Sequence, residues 1–285
     1  MTPITPPRRS RRARRGMTLI ELLITIVLVA IIGAASGRLL VSQTRFFAQL
    51  SAKKDARSIT RNARNLIQTE LAMVEAGGGM VAATNDSITV RMPYASGVYC
   101  ASNTMARLPG DSAMYAMATF AGYAIKDTTA AGVYTYTSST TLPTAGTASN
   151  CTGGSVLITV PTNGDYLALS PTVTGLAGAP IFLFQQVTYK FATSALFPGR
   201  RGLYRRVGTG SSGTVEEILA PFESTAQLRF YSLNSATSTA TVPTLADIRG
   251  IELKLDAESP NRASNRASPE TSRITTAIFF RNRVD

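Results

Sequence analysis

Glu21 is the one ionisable residue between Met17 and Gly37, a run otherwise made of apolar, small or hydroxyl-bearing residues. An α-helix needs about 20 such residues to cross a hydrocarbon core. A carboxylate held at that depth costs about 2.5 kcal/mol or several times more, so it marks function by default and calls for a cationic or polar partner. Its own helix offers none nearby. The other reactive side chains are Cys100 and Cys151, the only two cysteines. An even count in an exported domain reads as a disulfide, with two unpaired thiols as the alternative. Closing a loop of about 50 residues contributes about 4 kcal/mol in the chain-entropy view. Neither cysteine has metal-ligand spacing.

Other chemistries are excluded by what is absent. The chain has no histidine, which removes the Ser-His-Asp and Cys-His arrangements and the His-containing zinc sites. Gly77-Gly78-Gly79 lacks the Lys-Ser/Thr of a phosphate-binding loop and follows a helical stretch, where glycine is a common stop. Glu216-Glu217 and the pair Asp256 and Glu258 fall in strand-like contexts that suit a solvated strand face. No catalytic, cofactor-binding or metal-binding residue and no small-molecule substrate is expected. The chain does not read as an enzyme.

The run Arg14-Arg15-Gly16-Met17-Thr18-Leu19-Ile20-Glu21-Leu22-Leu23 resembles the amino-terminal signal of type IV prepilins and type II secretion pseudopilins. That signal is a basic leader, Gly, a large apolar residue, Thr, two apolar residues, Glu, then a hydrophobic helix. The resemblance implies that a prepilin peptidase cuts after Gly16 and that Met17, where Phe is usual, becomes the N-methylated terminus. It also implies that Thr18 and Glu21 serve subunit assembly, the Glu21 carboxylate meeting the terminal amine of a neighbouring subunit within the lipid. Two plainer readings compete. One is an ordinary signal peptide cut at Ala34-Ala35-Ser36; the other is a single-pass anchor for a binding domain, with Glu21 incidental.

Charge sets the orientation. Arg8, Arg9, Arg11, Arg12, Arg14 and Arg15 precede Met17 with no acid among them, which holds that end in the cytoplasm and puts the carboxyl end outside the inner membrane. A net charge of +12 and a pI of 10.2 would ordinarily suggest nucleic acid. Without residues 1–16, however, 23 basic residues stand against 17 acidic ones, and the whole excess lies between Arg38 and Arg64. The remainder is neutral, so nucleic acid is not an expected partner. Arg200, Arg201, Arg205 and Arg206 are the one local cluster that a nucleic acid could use, with a solvated hairpin as the plainer account.

The elements that must position these residues are a stem and a head. No proline occurs from Gly16 to Met92, and composition from Met17 to Glu75 favours helix, about 90 Å of it. Residues 1–16 form the leader, 17–37 the membrane and filament-core helix, and 38–76 an amphipathic stem. Ile59, Ala63, Leu66, Ile67, Leu71 and Val74 make a stripe that needs a sheet to cover it. Gly33 and Gly37, four apart, mark either a close helix contact or, as favoured here, a point where the helix loosens on packing. Residues 77–285 are a β-rich head, with 77–180 variable and loop-rich and 181–285 the sheet core. Strands are predicted at 87–92, 133–137, 155–160, 180–192, 202–207, 226–233, 248–256 and 273–281, and 258–272 reads as a mobile polar connection. The fold class is α+β.

In the last hundred residues Val187-Thr188-Tyr189, Leu203-Tyr204-Arg205-Arg206, Glu217-Ile218-Leu219-Ala220, Leu228-Arg229-Phe230-Tyr231, Ile248-Arg249-Gly250-Ile251-Glu252-Leu253 and Phe280-Arg281-Asn282 resemble the carboxyl-terminal half of minor pilins of the W type and minor pseudopilins of the J type. The two resemblances together imply a pilin-like fold, a long helix packed on an antiparallel sheet. They imply a minor pilin that co-assembles with other pilins into a filament, or a pseudopilin of type II secretion.

Overall fold

The computed structural model describes residues 18–75, 77–110, 112–126, 133–152, 165–172, 176–210, 213–233, 235–263 and 266–280. Helix α1 runs from Leu19 to Leu71, four residues short of the predicted end. Past Leu71 the chain turns, and Gly78 takes φ +80°, a conformation that favours glycine. Gly79 lies so close to the Glu75 backbone that a Cβ could not be accommodated. The glycine triplet is therefore a helix exit. The chain divides into two compact units, one ending at Leu50 and one beginning at Ser51.

In the first unit every residue from Thr18 to Phe47 is exposed, including the apolar side chains of Leu19, Ile24, Val29, Ile32 and Leu40. It is the one helix among the described residues that is long and apolar enough to cross a membrane.

In the second unit the rest of α1 meets an antiparallel sheet. Its strands are β1 (Met80–Ala83), β2 (Ser87–Tyr99), β3 (Thr104–Arg107), β4 (Gly122–Lys126), β5 (Tyr134–Ser138), β6 (Thr144–Ala145), β7 (Asp165–Ala168), β8 (Pro180–Thr193), β9 (Arg201–Val207), β10 (Thr214–Phe222), β11 (Gln227–Ser232), β12 (Ile248–Glu258) and β13 (Thr271–Phe279). Two short helices, α2 (Ser112–Met117) and α3 (Ser149–Thr152), interrupt the first half. The main path runs β11-β12-β10-β9-β8-β2-β3-β7-β6, with β1 beside β2, β13 beside β12, and the β4–β5 hairpin attached to β8.

The long strand β8 organises the head. Along one side it pairs with β2 from Pro180 to Lys190. On its other side it pairs first with β4, through Ile181–Phe184, and then with β9, from Val187 onward. Between Pro93 and Ala95 the β2 register shifts, and the strand inserts an extra residue. Buried positions change parity there, from Ile88, Val90 and Met92 to Gly97 and Tyr99. A proline inside a strand is tolerated at such a bulge, and for that reason β2 continues seven residues past Met92.

The main core joins helix to sheet. Ala63, Ile67, Leu71 and Val74 pack with Ile88, Val90 and Met92 of β2, Val187, Tyr189 and Phe191 of β8, and Leu253 and Leu255 of β12. Of the predicted stripe, Ile59 and Leu66 are only half-buried. The buried face instead continues through Ala52, Ala56 and Thr60, small residues at four-residue spacing whose periodicity a search for large apolar side chains passes over. A smaller core joins Tyr99, Met105, Tyr123 and Leu167, all from the segment expected to be loop-rich, to Leu183 of β8. The sheet core is not confined to residues 181–285, because β2 is at its centre. The predicted strand at 155–160 lies outside the described residues.

The polar connection after β12 is tied at its base. The Ser259 backbone N–H donates to Glu270 O at 2.8 Å, the Glu270 N–H donates to Ser259 Oγ at 3.1 Å, and Arg200 donates to Ser259 O at 2.8 Å. Ser259 is fully buried. The connection expected to be mobile is thus fastened at its two ends, Ser259 and Glu270.

Candidate functional site

Gly16 and Met17 lie outside the described residues, which begin at Thr18. Thr18 caps α1: its carbonyl accepts from the Glu21 and Leu22 N–H groups at 3.1 Å each, and its Oγ1 accepts from the Glu21 N–H at 3.4 Å. Thr-x-x-Glu is the spacing of a capping box, of which the Thr half is formed here. An acidic residue in the first turn also suits the positive end of the helix dipole. Thr25 folds its hydroxyl back onto the carbonyls of Glu21 and Leu22, so it presents little polarity outward.

The Glu21 carboxylate is different. It is exposed, it makes no hydrogen bond or ion pair among the described residues, and its neighbours Leu19, Ile20, Leu22, Leu23 and Ile24 are exposed as well. In water that arrangement is harmless. In lipid it leaves one uncompensated charge, which a cation on another molecule would neutralise. Gly33 and Gly37 sit in unbroken helix, and a Cβ on either would meet nothing within 4 Å.

Cys100 and Cys151 are bonded, with their Cα atoms 5.0 Å apart. The bond joins the end of β2 to α3 in a small buried cluster with Ala106 and the half-buried Tyr166. It clamps the Ala-, Ser- and Thr-rich segment to the β2–β3 hairpin.

The four arginines considered for nucleic acid are engaged within the head. Arg200 pairs with Glu258 at 3.1 Å and Arg201 with Asp86 at 2.6 Å. Arg205 pairs with Glu70 at 3.1 Å, and Arg206 donates to Thr188 Oγ1 at 3.4 Å. Neighbouring strand residues point to opposite faces, so consecutive arginines cannot form one patch.

Glu70 was not singled out by sequence, yet it fastens α1 to the sheet. Its carboxylate receives both Arg205 of β9 and the Tyr189 hydroxyl of β8. Burial raises its pKa, and the Arg205 charge only partly offsets this. The available signal was a carboxylate at the margin of an apolar stripe. Glu217, on β10, behaves oppositely. Burial pushes its pKa up, but hydrogen bonds from the Ser194 hydroxyl, the Ala195 N–H and the Tyr204 hydroxyl outweigh that and leave it lowered. Among the described residues no cluster of His, Cys, Asp or Glu could hold a metal ion.

No curated protein and no solved structure matches the chain. The prokaryotic N-terminal methylation motif matches residues 11–37. That stretch contains the basic run, Gly16, Met17, the Thr18 cap, Glu21 and both helix glycines. With the exposed apolar helix that follows, the match supports a type IV pilin-like family for this chain.

Proposed function

We propose that the chain is a minor pilin subunit that acts by assembly and not by catalysis. Inserted in the inner membrane with its amino end in the cytoplasm, it loses residues 1–16 to a prepilin peptidase and is N-methylated at Met17. It then joins other pilins to prime or tip a type IV pilus-like filament. The observation that carries this reading is the Glu21 carboxylate, without a partner among the described residues, on the exposed apolar stretch of α1 inside the matched methylation motif. The amine of Met17 on a neighbouring subunit is the simplest cation to meet it. At lipid depth the two charges are worth far more together than either is in water.

Intact-mass analysis of the membrane-extracted protein tests this. The expected terminus is N-methyl-Met17, and replacing Gly16 by a bulky residue should leave the precursor uncut. A terminus at Gly37 would establish an ordinary signal peptide, and an unprocessed Met1 would favour a simple anchor.

A further inference from the structure

Four cations on the stem have no partner. Lys53, Lys54, Arg57 and Arg61 are exposed, and none makes a hydrogen bond or ion pair among the described residues. At about 100° per residue they fall within an arc of about 100° on the α1 circumference, beside the arc that Ala52, Ala56, Thr60 and Ile67 bury against the head. Asp55, the only acid near them in sequence, projects on the far side of the helix. We propose that this strip docks the acidic stem face of a different filament subunit. The inference rests on the pilin reading above and names the partner's chemistry.

Three other occupants fit less well. A second copy of this chain would bring the same cations, and its head carboxylates Glu70, Asp86, Asp165, Glu252 and Glu258 are already paired with its own arginines. Like charges brought face to face oppose association. Lipid head groups are distant, since Lys53 is about 24 Å beyond Gly37 at 1.5 Å per residue, against a screening length of about 8 Å in physiological salt. A single-stranded nucleic acid would want stacking platforms, and no aromatic residue lies between Leu50 and Leu71. The strip therefore favours a hetero-partner and disfavours self-polymerisation.

The test uses the full chain in its own cells, with a benzophenone amino acid in place of Gln68, which is exposed and uncharged and lies on the same arc. The expected crosslink is to another prepilin-type subunit, through a stem peptide in which Asp and Glu exceed Lys and Arg. Reversing Lys53, Lys54, Arg57 and Arg61 to Glu should cut its yield about tenfold or more. Changing them to Gln should give an intermediate loss, and reversing the crosslinked acids of the partner to Lys should restore it. A crosslink to a second copy, to lipid or to nucleic acid overturns the proposal, as does a yield indifferent to the reversal in a protein whose melting is unchanged. The amino-terminal mass is read on the same sample. N-methyl-Met17 without an acidic partner sinks the strip alone, whereas any other terminus sinks the pilin reading with it.

Discussion

Helix α1 is one element with two kinds of surface. From Thr18 to Phe47 every side chain is exposed, although most are of the types that fill cores. From Ala52 to Leu71 the helix buries one narrow face, and Ile67 and Leu71 are wholly enclosed. The second stretch packs on a sheet made by its own chain, whereas the first shows only exposed side chains. A hydrophobic surface of that extent marks a site for lipid or another protein. The head's core is thus supplied by its own chain.

The largest effect should come from the first stretch and appear only in assembly. Glu21→Gln keeps the size and removes the charge, so membrane levels should hold or rise while co-purification with companion pilins and filament output fall by an order of magnitude or more. Glu21→Leu should do the same more strongly. If both variants assemble as the parent does, the carboxylate is incidental and the anchor reading gains.

The next effects belong to the head. Replacing Cys100 and Cys151 by Ser should lower the stability of the head by about 4 kcal/mol in the chain-entropy view, read from denaturant midpoints with and without reductant. Two freely alkylated thiols in protein isolated without reductant would remove that prediction. Leu71→Ala should cost about 2–5 kcal/mol. Leu28→Ala, on the exposed stretch, should leave the same melt within about 0.5 kcal/mol. Equal shifts for the two leucines would dissolve the contrast between the halves of α1.

Smaller changes should sharpen it. Gly33→Ala with Gly37→Ala removes about 1 kcal/mol of helix penalty per site and meets no steric obstacle. Incorporation into filaments should fall if the helix must loosen there, and unchanged incorporation would favour a rigid contact. The smallest effect is in pH dependence. Glu217, held low, stabilises the head above its unfolded pKa, and that contribution is lost as pH falls through its folded value. Glu70, held high, contributes below its unfolded pKa and loses that contribution as pH rises through its folded value. Glu217→Gln should therefore flatten the acid limb of a stability–pH curve, and Glu70→Gln should flatten its rise toward acid.

Sequence made the stem and the last third of the head legible because their side chains carry strong signals. The apolar run and the Ile67 and Leu71 spacing both call for a helix, and the apolar–charged alternation of 251–256 calls for a strand. The middle was read less well. Strands β3, β4 and β7 are four or five residues long and include Ala, Gly, Asp and Lys, which strands disfavour. The strand expected at 87–92 continues through Pro93, which the bulge before Ala95 makes compatible with β2. Glu216-Glu217 reads as part of a solvated strand face, yet in β10 Glu217 is held by the β8–β9 turn. At the candidate site the residue types were readable throughout. The Glu70 clamp was not, because its partners Tyr189 and Arg205 are more than a hundred residues away.

The position of β8 at the middle of the sheet has a consequence in time. Ser87 of β2 pairs with Lys190, so the strand beside α1 has to wait for the following hundred residues before its main neighbour exists. At about 5–20 residues per second of synthesis, that interval is on the order of 5 to 20 s. During it the nascent chain carries the Ile88, Val90 and Met92 row and the Ile67 and Leu71 stripe with no sheet to receive them. A chain stopped before Pro180 should accordingly show no amide protection in β2 by hydrogen exchange. The nascent chain exposes core-forming side chains for longest on the residues made before β8.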